Sequence, residues 1–74
     1  MNATRLRLLY DGLGYAWNEA KRLAGLGWIT DVVADGDRWR VIVECPEHVQ
    51  YNLAGWPVQL IVERVKMLTD GDEI

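Results

Sequence analysis

"WITDVVADGDRWRVIVEC", residues 28–45, holds two β-rich runs joined by a polar break at Asp35-Gly36. Val, Ile, Thr and Trp dominate both runs, and such residues suit a pleated, half-buried surface. An Asp-Gly pair tolerates the positive φ values that a type I′ hairpin turn needs. With a two-residue loop there, Val32 faces Trp39, Thr30 faces Val41 and Trp28 faces Val43, all on one apolar side. On the other side Asp31 faces Arg40, an opposite-charge pair, and Ile29 faces Ile42. The segment predicts an antiparallel hairpin with one face turned to a core.

Upstream, "TRLRLLY" (4–10) alternates, with Leu6, Leu8 and Tyr10 on one side and Arg5, Arg7 and Leu9 on the other. That is the pattern of a half-buried strand. "DGLG" breaks it at 11–14, and the period becomes helical. Ala16, Trp17, Ala20, Leu23 and Ala24 form one stripe, Asn18, Glu19, Lys21 and Arg22 lie opposite, and Gly25 and Gly27 stop the helix.

Downstream, Pro46 suits the first position of a second helix, where its missing N–H would be unpaired anyway. Glu47 in the first turn complements the helix dipole, Val49 and Leu53 lie four apart, and Gly55 and Pro57 end the segment. "PVQLIVERVKML" (57–68) fits either a strand or a helix, and its β-branched content favours the strand. The order β-α-β-β-α-β predicts an α+β fold, a compact two-layer sandwich of ferredoxin-like type, with β-α-β-β-α and a C-terminal helix at 57–68 as the alternative. Residues 1–68 make one domain and 69–74 an acidic tail.

Composition narrows the function. The 74 residues carry a formal charge of −3, which opposes nonspecific attraction to nucleic acid or anionic membrane. One cysteine forms no internal disulfide, so no oxidising compartment is required. "MNATRLRLLY" has too short an apolar run, broken by arginines, for a signal peptide or membrane span, so the expectation is a cytoplasmic protein without membrane contact.

"ECPEH" (44–48) holds the only cysteine and the only histidine. A Cys–His dyad needs hydrogen-bond reach and a low thiol pKa, whereas Cys45 shares the inward parity of Val41 and Val43. One Cys and one His also fall short of a zinc site. The stretch reads as an element boundary. "DGLG" lacks the third glycine of a dinucleotide fingerprint, and Asp11 would repel phosphate. Asp35/Asp37 and Asp70/Asp72/Glu73 are too closely spaced for a calcium loop. No catalytic, cofactor-binding or metal-binding residue is expected, and no enzyme.

The arginines carry the positive expectation. In the expected order, strands one and three are central neighbours, so Arg5, Arg7, Arg38 and Arg40 share the face away from the helices. Leu9, Ile29, Val33 and Ile42 join them, with Asp31 and Glu44 interspersed. Arg64 and Lys66 fit less well, because they share parity with Val58, Leu60 and Val62. Such a face suits a protein interface, with itself or a larger target, and Arg5, Arg7, Ile29, Val33, Arg38, Arg40 and Ile42 are its expected contact residues. The domain would then be a small regulatory or inhibitor module. A variant is a phage-type inhibitor that presents carboxylates to a basic nucleic-acid channel. The alternative is single-stranded nucleic-acid binding, although "RWRVIVEC" does not match an RNP1 motif and the aromatics lie off this face.

"AKRLAGLGW" (20–28) followed by "DGDRWRVIVECPEH" (35–48) resembles peptidoglycan-binding SPOR domains in its order of helix, hairpin and "RV" strand. The match covers less than half the chain and the first strand departs from that pattern, so no functional residue is carried across.

Overall fold

The computed structural model describes residues 2–47, 53 and 56–66. Strand β1 (Asn2–Tyr10) leads into helix α1 (Leu13–Ala24), followed by β2 (Ile29–Asp35), β3 (Arg38–Pro46) and β4 (Gln59–Lys66). The strands form one antiparallel sheet in the order β2-β3-β1-β4, with β1 and β3 in the centre.

The described residues are therefore β-α-β-β-β, a four-stranded sheet with one helix. They do not form the expected β-α-β-β-α-β ferredoxin-like sandwich with two helices. Pro46 does not open a helix: it ends β3, paired with Ala3. The residue before a proline is pushed towards extended backbone, which carries the strand on through Cys45. The last pair of β2 with β3 is Ile29↔Glu44, so Pro46 lies beyond β2 and its missing N–H forfeits no ladder bond. Of the expected second helix, 48–52, 54 and 55 lie outside the described residues, as does the tail at 69–74; Leu53, Trp56 and Pro57 are not helical. The alternative C-terminal helix at 57–68 is also overturned, because Gln59–Lys66 pair with β1 along their length.

The hairpin forms, two residues out of the expected register. Asp35 pairs with Arg38, so the loop is Gly36-Asp37; Val32 faces Val41, Thr30 faces Val43 and Ala34 faces Trp39. Gly36 has φ +67 and no non-glycine residue has positive φ among the described residues. A type I′ turn needs positive φ at both loop positions, whereas glycine at the first alone is the type II′ pattern. A shift of two leaves every side chain on its expected face.

The core lies between α1 and the inner sheet face. Leu6, Leu8, Tyr10, Val41, Val43 and Cys45 meet Ala16, Ala20 and Leu23, with Trp28, Val32, Trp39 and Leu53 packed around them. The helix is turned from the expected orientation. Glu19 is buried, 1% exposed, whereas Trp17 is 55% exposed. Ala16 and Ala20 allow close approach to the sheet, and Arg22 supports Glu19 by donating from Nε to Oε1 at 2.9 Å and from Nη2 to Oε2 at 3.0 Å. Gly27, at φ +88, then takes the chain out of the helix towards β2.

Candidate functional site

The outer face of the sheet is built by strand alternation. Successive side chains point to opposite sides, so burying Leu6, Leu8, Val41 and Val43 turns Arg5, Arg7, Arg40 and Ile42 outward. Register aligns them: Arg5 lies opposite Glu44, Arg7 opposite Ile42, Leu9 opposite Arg40 and Val33 opposite Arg40 from the other side. Arg38 stands at the hairpin end of the same face, opposite Asp35, and Ile29 at the far end, opposite Glu44. All seven expected contact residues thus lie on one face, which no described element covers.

Each outward arginine is held by a carboxylate. Arg5 Nη2 donates to Glu44 Oε1 at 3.0 Å, and Arg5 Nη1 lies 4.0 Å from Glu63, which also takes Arg7 at 3.4 Å. Arg38 meets Asp11 at 3.0 Å, and Arg40 pairs with Asp35. Exposed pairs of this kind are each worth about 0–1 kcal/mol, so their main effect is to fix the guanidinium groups and cancel their charge. Between the pairs lie Leu9, Ile29, Val33 and Ile42, joined by Ile61 and Val65 of β4. Ile29, at 64% exposed, projects furthest. The β4 contribution was missed from sequence, because attention to Arg64 and Lys66 obscured the opposite parity of Ile61 and Glu63.

Arg64 and Lys66 lie on the helix side of β4, opposite Thr4 and Asn2. They are tolerated there because β4 is an edge strand to which α1 does not reach, and Arg64 pairs with Glu47 at 3.0 Å. A second feature that sequence reading missed is an apolar cleft lined by Leu13, Gly14, Trp17, Val32 and Trp39. Placing Trp17 in the core stripe concealed it.

Cys45 is buried, its thiol donating to the Thr4 carbonyl oxygen at 3.6 Å, and burial pushes its pKa up. A raised pKa suppresses the thiolate that nucleophilic or metal-binding chemistry requires. His48, the other half of the dyad weighed from sequence, lies outside the described residues. Among the described residues no group of His, Cys, Asp and Glu could hold a metal ion, and no helix is long and apolar enough to cross a membrane.

No protein-family model matches this chain, and neither a curated protein nor a solved structure matches it, so the partial resemblance to SPOR domains assigns it no family.

Proposed function

We propose that the chain is a non-enzymatic protein-binding domain of regulatory or inhibitor type, which engages another protein through the outer face of its sheet. One observation carries this reading: the face alternates aliphatic side chains with arginines whose charges are already cancelled by fixed carboxylates. Aliphatic area supplies the apolar burial of an interface, and charges that are already paired cost less to desolvate than unpaired ones. The same pairing argues against single-stranded nucleic acid. Phosphate affinity comes from cations that release counterions, and these arginines would first have to leave their carboxylates. A cytoplasmic setting is part of the proposal, supported by a lone, buried cysteine that forms no internal disulfide.

The test is affinity capture from cell lysate, with and without nuclease, using wild type, the Arg38→Glu/Arg40→Glu double reversal and Ile29→Ser. The reversal places glutamates beside Asp11 and Asp35, so Ile29→Ser supplies a probe that disturbs no ion pair. A protein partner that survives nuclease and is lost with both variants is the expected result. Capture that vanishes with nuclease would favour nucleic acid, and capture unaffected by either variant would remove the surface assignment.

A further inference from the structure

We propose that the open edge of β4 joins a second copy of this chain, β4 against β4 about a two-fold axis, to form one continuous eight-stranded antiparallel sheet. Among the described residues the sheet has two edge strands, β2 and β4, and their edges differ. In a hairpin closed by Asp35↔Arg38, ladder alternation turns the N–H groups of Thr30, Val32 and Ala34 outward from β2. There the Asp31 carboxylate accepts the Val32 N–H at 2.9 Å, so the chain itself occupies part of that edge.

The β4 edge has the opposite character. The same alternation, carried through β3 and β1, turns the backbone groups of Leu60, Val62, Arg64 and Lys66 away from β1. Leu60 and Val62 also carry apolar side chains 40% and 46% exposed. Outward-turned ladder groups, without a strand partner among the described residues, and exposed aliphatic side chains therefore fall on the same residues. That combination marks a site for strand addition.

Charge placement selects a second copy as the occupant. Outward-facing residues must pair with outward-facing residues, so the two-fold axis has to fall on a residue position. With Val62 on the axis, Leu60 faces Arg64 of the other copy, Ile61 faces Glu63 and Gln59 faces Val65. Gln59–Val65 of the two copies are then paired and no like charges meet. Moving the axis to Glu63 sets Glu63 opposite itself, and moving it to Arg64 does the same for Arg64, which like-charge repulsion disfavours. Moving it to Ile61 pairs only Gln59–Glu63 and leaves Arg64–Lys66 beyond the strand of the other copy. The strand thus specifies its own antiparallel register.

Sedimentation of wild type and Val62→Lys tests this, with circular dichroism to check that the variant keeps its fold. Wild type is expected at twice the 8.5 kDa chain mass and Val62→Lys at the chain mass. An independent arm uses cysteine. Hydrogen-bonded antiparallel partners have Cα atoms about 5.5 Å apart, within disulfide reach. Val62→Cys should form a covalent dimer on mild oxidation, whereas Leu60→Cys, which faces Arg64, should not. The Arg38→Glu/Arg40→Glu reversal should leave the dimer intact, separating this edge from the outer-face reading. A wild-type chain that stays monomeric up to millimolar concentration, a dimer that survives Val62→Lys, or cross-linking through residue 60 in place of 62 overturns the proposal.

Discussion

At the scale of single residues, the buried ends of polar side chains decide more than their number. Tyr10 sits in the core, and its phenol pKa is pushed up to about 12, first by burial and then by the negative charge of Glu19. In the unfolded chain the phenol loses its proton near the ordinary value of about 10. Between those values the folded state holds a proton that the unfolded state has released. Stability is therefore complete below pH 10 and falls as the pH rises towards 12, by about 2–3 kcal/mol for the full interval. Unfolding free energies measured across this range should fall more steeply for wild type than for Tyr10→Phe. Equal slopes would contradict the assignment. Glu19 shows where sequence reading failed at this scale. A glutamate on a short helix reads as solvated, and the pairing with Arg22 at the next turn helps accommodate it beneath the helix while Trp17 stays out.

At the scale of elements, the Gly36-Asp37 loop sets the register from which the outer face is built. Nothing lies within 4 Å of where a Cβ on Gly36 would stand, so Gly36→Ala meets no clash and its effect comes from the backbone alone. Holding alanine at φ +67 should cost about 1–2 kcal/mol, read as a lower denaturant midpoint with an unchanged slope. No change in midpoint would mean that the turn does not need this glycine. Both faces of the hairpin were legible from alternation, because a shift of two residues preserves parity. The pairing partners were not, since Asp-Gly and Gly-Asp both satisfy hairpin chemistry and only backbone geometry separates them. Pro46 misled for a related reason: the same residue suits the start of a helix and the last position of a strand that has outrun its neighbour.

At the scale of the molecule, the one helix among the described residues covers one side of three strands, and no described element covers the outer face. The central placement of β1 and β3 was readable from sequence, and it is what brings the arginines of "RLR" and "RWR" together. Their neutralisation was not readable. It depends on Glu63 and Asp11, which reach the face only after β4 docks on β1 and the chain turns into α1. The account rests on this face being where a partner binds. Hydroxyl-radical footprinting of the chain, alone and in the captured complex, tests that most directly. Protection of Ile29, Val33 and Ile42 with Trp17 still oxidised is the predicted result; protection of Trp17 with the three aliphatic residues still exposed would contradict it.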